Sequence, residues 1–239
     1  MSNQKTDLDL EAGASRPLYP SMVESPELRW GFIRKVYAIL TVQLLLTIAI
    51  AATVDFVHPI AHFLVRTRPG IGVDIAVFFM AISVLVALFF YSKKHPVNCL
   101  LLGIFTVLMG FMVGVACAST KEKVILEAWG LTTVIFISLT LYTFWAARRG
   151  QDFSFLGPFL FAALIVLLGF SLIQIFHPFG KFSHMIYGIV GCIIFCAFIV
   201  YDTNALIKRH QYDEYMLAAI ELYLDAINLF LNLVVITDG

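Results

Sequence analysis

Charge is scarce in this chain. Charged residues fill 13% of its 239 positions and hydrophobic residues 60%, where soluble domains carry about 25% charged. That balance excludes a water-soluble globular domain and leaves one polytopic membrane unit. The formal net charge is zero, so no basic surface argues for nucleic acid as a partner. Cysteine is scarce as well. The four, Cys99, Cys117, Cys192 and Cys196, all lie in apolar stretches, with neither paired loop positions nor a histidine-backed metal spacing, which excludes a disulfide framework. Cys192 and Cys196, one helical turn apart, read as small packing residues. No apolar core of a signal peptide precedes Trp30. Residues 1–30, with Pro17, Pro20 and Pro26, are expected to form a disordered cytosolic tail.

What the chain does have is apolar runs. Seven are long enough for the roughly 20 residues of a spanning helix: Ile33–Val54, Val73–Tyr91, Val97–Ala118, Ala128–Ala147, Phe155–Phe176, His184–Ile207 and Tyr215–Ile236. His58-Pro59, Pro69-Gly70, His95-Pro96, Gly150 and His177-Pro178 punctuate them. The expected fold class is therefore all-α, a seven-helix transmembrane domain over residues 31–239, solvated by the lipid bilayer. Arg29, Arg34, Lys35, Lys93, Lys94, Arg148, Arg149, Lys208 and Arg209 fall on one side, against Arg66, Arg68, Lys121, Lys123 and Lys181 on the other. The positive-inside rule then puts the N-terminus in the cytosol and, after seven crossings, the C-terminus on the opposite side. A re-entrant seventh segment would instead return it to the cytosol. Gly103, Gly110 and Gly114 form a helix-packing face. Trp30, Trp129 and Trp145 lie near predicted span ends, as in an aromatic belt.

Within this apolar frame, two carboxylates stand out. Asp202 lies in the sixth segment and Asp225 in the seventh, across the short charged loop at Lys208-Arg209-His210. An Asp at the centre of a spanning helix costs roughly 2.5–3.5 kcal/mol on insertion scales, and such residues face the bundle interior and mark functional sites by default. Glu221, Asp225, Asn228 and Asn232 recur at spacings of four, three and four, which gathers them on one narrow helical face. Lipid cannot hydrogen-bond that face, so it must meet protein or water. Gly188, Gly191 and Asp202 share a face of the preceding helix, and the two faces are predicted to pack together.

Three readings of the pair stay open at this point. Two carboxyl groups in one dry site hold a single proton between them, which makes a proton-operated latch. They are also ligands for hard cations such as calcium, here too few for more than weak binding. The third reading is a purely structural interhelix contact. Catalysis has less support. Tyr201-Asp202 is similar to the first motif of intramembrane aspartyl proteases, but their GxGD and PAL motifs are missing. There is no GxSxG and no HExxH. The six histidines, His58, His62, His95, His177, His184 and His210, fall in loops or at span ends. No catalytic residue and no cofactor is expected.

Tyr201-Asp202-Thr203, then Leu222-Tyr223-Leu224-Asp225 with Ile227-Asn228-Leu229-Phe230, resembles the transmembrane Bax-inhibitor-motif family, and within it the Lifeguard branch. The likeness covers residues 30 to 236 and includes Asp152-Phe153-Ser154-Phe155. It implies a seven-helix bundle with the last helix central, in the endoplasmic reticulum or another intracellular membrane. It also implies a pH-sensitive calcium leak, calcium being the permeating ion, that lowers store calcium and restrains programmed cell death, with cell-death regulatory membrane proteins as partners. A non-conducting scaffold that inhibits cell death by partner binding is the alternative. The family's di-aspartyl pH sensor falls on Asp202 and Asp225, with Glu221, Asn228 and Asn232 as candidate pathway-lining residues. Bacterial members place an Arg near the cytosolic end of the second helix as partner to the first Asp. Here that place is taken by Ser92 or Lys93, and a Lys lacks the planar two-pronged donor of Arg.

Overall fold

A computed structural model describes residues 17–56, 64, 67–176 and 180–238. Its architecture is seven long helices: α1 Pro26–Phe56, α2 Arg68–Tyr91, α3 Val97–Cys117, α4 Glu122–Arg148, α5 Leu156–Phe176, α6 Lys181–Lys208 and α7 Tyr215–Asp238. Each carries a window long and apolar enough to cross a membrane. Among the described residues there is no strand. A spanning segment must satisfy its backbone internally, and helices do so residue by residue.

Four helices begin earlier than the apolar runs do, for local reasons. α1 starts at Pro26 rather than Ile33, and proline suits the first turn, where its missing N–H has no partner to lose. Pro69-Gly70, read from sequence as a joint, lies in the first turn of α2, where Gly70 N donates to Thr67 Oγ1 at 3.1 Å. α4 begins at Glu122 rather than Ala128, with an acidic side chain at the positive end of the helix dipole. α6 begins at Lys181 rather than His184. Polar first turns are invisible to an apolar-run criterion.

The last helix is the axis of the bundle. Two thirds of its apolar window is buried, 67% against 11% in α2 and in α5. Tyr223, Ile227, Leu229 and Phe230 are fully enclosed. α7 packs on α6, α4, α1 and α3, while α2 packs chiefly on α3 and α5 on α6. Trp129 stacks on Phe230 with ring centroids 4.4 Å apart, and Trp30 stacks on Phe144 at 5.7 Å. These two tryptophans therefore join helices, while Trp145 stays half exposed with Arg149 over its ring.

One end of the bundle is tied by the loops. Arg29 reaches the α6–α7 loop through the His210 carbonyl at 2.7 Å. Lys93, between α2 and α3, pairs with Asp213 at 2.8 Å. Lys208 donates to the Gln151 carbonyl between α4 and α5. The start of α1 and these three loops thus share one end, which holds the more basic set of side chains, the end the positive-inside rule expects in the cytosol and called the cytosolic end below. The seven helices alternate in direction, and α7, at 24 residues, is about 36 Å long, enough to cross a hydrocarbon core of about 30 Å. Of the expected tail, residues 1–16 lie outside the described residues, as do His58-Pro59, His62, Arg66 and His177-Pro178. Residues 17–25 precede α1, and Leu18 among them packs into the core at 3% exposure.

The glycines of α3 divide into two kinds. A Cβ on Gly114 would lie 2.8 Å from Val54 Cβ and 3.1 Å from the Ala51 backbone, and one on Gly110 would lie 3.0 Å from Ile50 Cβ. Gly103, expected on the same packing face, has nothing within 4 Å of that position. Gly114→Val is expected to destabilise by about 1–3 kcal/mol through overpacking against backbone, and Gly103→Val to leave stability nearly unchanged. Thermal unfolding of the two variants in detergent checks the contrast. The topology predicts that an N-terminal tag is digested from the cytosolic side of sealed membranes and a C-terminal tag is protected. Digestion of both would reject seven crossings.

Candidate functional site at the α6–α7 seam

The seam is opened by small residues and closed by amides. A Cβ on Gly188 would lie 3.1 Å from the Asn232 carbonyl oxygen, and Gly191 leaves room for the Asn232 side chain itself. α6 and α7 therefore approach backbone to backbone there. Farther along, toward the cytosolic end, the Asp202 and Asp225 carboxyl groups meet as a hydrogen-bonding pair, so the predicted face-to-face packing is what the structure has. Asp225 is 4% exposed. Its Oδ2 receives no donor from the described residues. The rotation of α7 is fixed from behind by Tyr223, whose hydroxyl lies 2.7 Å from Thr47 Oγ1 of α1 and whose ring meets Phe105 edge to face.

The polar face of α7 splits. Leu217, Glu221, Leu224, Asn228, Leu231 and Val235 form its half-buried line, while Asp225 and Asn232 are buried beside it. Asn228 Nδ2 donates to the Leu224 carbonyl and Asn232 Nδ2 to the Asn228 carbonyl, both at 2.8 Å. Asn232, expected among the pathway-lining residues, is an interhelix packing contact seated on Gly191. Glu221 is engaged too. Its Oε2 lies 2.9 Å from His210 Nε2, and His210 Nδ1 lies 3.6 Å from Glu214.

The expected helix-2 partner for Asp202 is not at the pair. Lys93 extends to Asp213 and Glu214. Ser92 is buried, with its Oγ on the Phe89 carbonyl and its own carbonyl accepting from Asn98. The cationic groups that act on Asp202 come from the α6–α7 loop, His210 and Arg209. Arg209 bonds the Tyr201 hydroxyl at 3.1 Å and lies over its ring.

Two features escape the sequence reading. Arg29, counted there only as a basic residue, is 2% exposed. It grips both oxygens of Glu24 at 2.7 Å, donates to the His210 carbonyl, and lies over the Phe32 and Tyr212 rings. Tyr212 in turn donates to Glu24. This strap ties the α6–α7 loop at the His210 carbonyl. The second feature is Asn204, fully buried two residues after Asp202, whose Nδ2 donates to Asp152 at 2.7 Å. Gly150, at φ 81°, ends α4 in a left-handed turn, with Gly150 N on Ala147 O and Gln151 N on Ala146 O, and delivers Asp152 to α6. Burial works to raise the Asp152 carboxyl, but bonds from Asn204 and Ser154 with the nearby Lys208 charge hold it below the usual value. A deep Arg and Asn give no periodic signal; only their rarity in or beside apolar runs could have marked them.

The fold and seam define a polytopic membrane protein with a buried carboxyl pair between its last two helices, under a histidine–carboxylate cover. Comparison with known proteins places the chain further. Residues 29–239 match the family described as Bax1-I, inhibitor of apoptosis-promoting Bax1, and the chain belongs to that family. It is 61% identical to Protein LIFEGUARD 2 of Arabidopsis thaliana, over 98% of this chain and 96% of that one. It is 62% identical to Protein LIFEGUARD 4 of the same plant, over 94% and 91%. It is 38% identical to the Golgi anti-apoptotic protein of Vaccinia virus (strain Lister), over 87% and 85%.

His210 makes the cover measurable. Burial opposes its charge, but the Glu221 hydrogen bond and the Glu221, Glu214 and Asp202 carboxylates outweigh burial, so it titrates above the usual 6.5. The clamp is fully formed below the ordinary histidine range and is lost as pH rises through the raised value. Ring titration followed by NMR should show this, and Glu221→Gln should bring the midpoint down. An unchanged midpoint would detach His210 from Glu221. A cysteine at Asn228 should react with a water-soluble thiol reagent, while cysteines at Leu229 and Asn232 should not.

Proposed function

We propose that the chain is a pH-sensitive calcium leak of an intracellular membrane, the endoplasmic reticulum first among them, that lowers store calcium and restrains programmed cell death. The observation that carries the reading is the Asp202–Asp225 pair, which sets a buried carboxyl of the central helix against a half-buried one of α6, where a scaffold has no use for it. The names of the Bax inhibitor 1 of Schizosaccharomyces pombe, 36% identical over 86% of this chain, and of the viral anti-apoptotic relative support the cell-death part. Cell-death regulatory membrane proteins are its partners in this reading, and it performs no covalent chemistry.

In this mechanism the pair holds one proton, and the carboxylic acid donates to its charged neighbour. Such charge-assisted bonds are about twice as strong as neutral ones. A second proton removes the charged acceptor, α6 and α7 loosen at Asp225, and the leak opens as pH falls. Calcium moves as cargo, held weakly by hard oxygen ligands. The cover works against the latch: acid charges His210 and tightens it on Glu221. Opening of the pair and closing of the cover thus both follow acidification and oppose each other.

Calcium efflux from liposomes holding the purified protein tests the reading. Efflux should rise as pH falls from neutral. Asp202→Asn and Asp225→Asn should each flatten that dependence, and His210→Gln should steepen it. No efflux at any pH would favour the scaffold. A double Asp→Asn variant as pH-dependent as wild type would place the sensor elsewhere.

A further inference from the structure

α1 and α3 touch tightly at Gly110 and Gly114 and part toward the cytosolic end, where Gly103 faces open space. The parting leaves a groove of about 480 Å³ between α1, α3 and the first turn of α7, within the size range of small-ligand sites. It lies away from the carboxyl pair. Its outer wall is apolar, formed in part by Val42, which is 65% exposed toward lipid. Polar side chains break that wall at two levels, Lys35 with His95 and Tyr215 toward the mouth and Gln43 with Thr106 deeper in. At the mouth, the Lys35 ammonium lies 3.2 Å from the centroid of the Tyr215 ring and has no carboxylate partner among the described residues.

Deeper in, Gln43 is 3% exposed. Its Nε2 donates to Thr106 Oγ1 at 3.3 Å, and Thr106 in turn donates to the Leu102 carbonyl. That chain of bonds sets the orientation of the amide and leaves Oε1 buried with no donor. A buried acceptor left unpaired costs about 1–3 kcal/mol, and a water there would find few of the two to four partners it needs. Gln43 lies eight residues beyond Lys35 on α1, about 12 Å deeper along the helix axis.

We propose that this groove binds a single-chain fatty acid from the cytosolic leaflet that carries a hydroxyl near the middle of its chain. The carboxylate sits on Lys35, the chain runs inward past Gly103 and Val42, and the hydroxyl donates to Gln43 Oε1. The charge of Lys35 selects an acid over an amine. The gap left by the missing side chain at Gly103 admits one chain. The depth of Gln43 places the hydroxyl, since 12 Å below the head group is the middle of a common long acyl chain. The site is independent of ion conduction.

Ricinoleic acid and oleic acid are the probes, differing only in a mid-chain hydroxyl, with oleylamine as the charge control. Binding is read by native mass spectrometry of purified protein released from detergent micelles. Ricinoleate is expected to bind about fivefold tighter than oleate, the worth of one neutral hydrogen bond, and oleylamine weaker than both. Lys35→Ala should weaken both acids alike. Gln43→Leu should remove the preference for ricinoleate while keeping oleate. Gly103→Leu, which fills the groove where a side chain meets no neighbour, should abolish binding of both without lowering the thermal midpoint. Equal affinity for ricinoleate and oleate, oleylamine binding as well as oleate, or undiminished binding to Gly103→Leu would each overturn the proposal.

Discussion

Two carboxyl groups buried against each other between α6 and α7 set the terms for the rest of the molecule. A pair of charges there would be repelled and starved of water. In the proposed mechanism the seam tolerates them as a proton-sharing pair, while neighbouring elements keep the two side chains in register. Gly188 and Gly191 bring the helices close, and Asn232 seats in the space they leave. Tyr223 pins the rotation of α7 through Thr47. Asn204, held by Asp152, anchors α6 on the other side of the seam. Each contact acts on the geometry of the pair rather than on its chemistry.

The centrality of α7 follows from the same constraint. A helix carrying Glu221, Asp225, Asn228 and Asn232 cannot turn those groups to lipid, so neighbours must surround it. α1, α3, α4 and α6 do so, and α2 and α5 complete the outer layer. The cytosolic loops add a second level. Arg29, Glu24 and Tyr212 strap the α6–α7 loop, and His210 within it closes on Glu221, one turn from Asp225. In the proposed mechanism the pair and its cover both answer to protons, with opposite sign. A response to pH in this architecture is therefore a balance between two titrations rather than the property of one residue.

Much of this was legible in the sequence because it is written in periodicity. Apolar runs located seven helices, and the spacing of Glu221, Asp225, Asn228 and Asn232 marked the side of the last one that meets α6, although only Asp225 and Asn232 of the four are buried. The packing of the Asp202 face on the Asp225 face followed from Gly188 and Gly191. What was not legible depends on loops, on long side chains and on where helices diverge. Lys93 reaches Asp213 because the α2–α3 and α6–α7 loops share an end, which no local pattern encodes. Arg29 lies deep because Tyr212 and the His210 carbonyl of the distant α6–α7 loop close over it, beside its near neighbours Glu24 and Phe32. Gly103 repeats the spacing of Gly110 and Gly114 yet meets nothing, since spacing records a shared face and not whether a second helix stays beside it. The early starts of α1, α2, α4 and α6 were hidden by polar first turns.

The central claim is that Asp202 and Asp225 hold one proton between them. Infrared spectroscopy of the protein in lipid at neutral pH addresses it directly, through the carbonyl stretch of a protonated carboxyl group. The account predicts such a band in the wild type, and predicts its loss in Asp202→Asn and in Asp225→Asn alike, because the introduced amide donates to the remaining carboxylate in place of the proton. A band that persists in either single variant, or that is missing from the wild type, would contradict the shared proton and with it the latch.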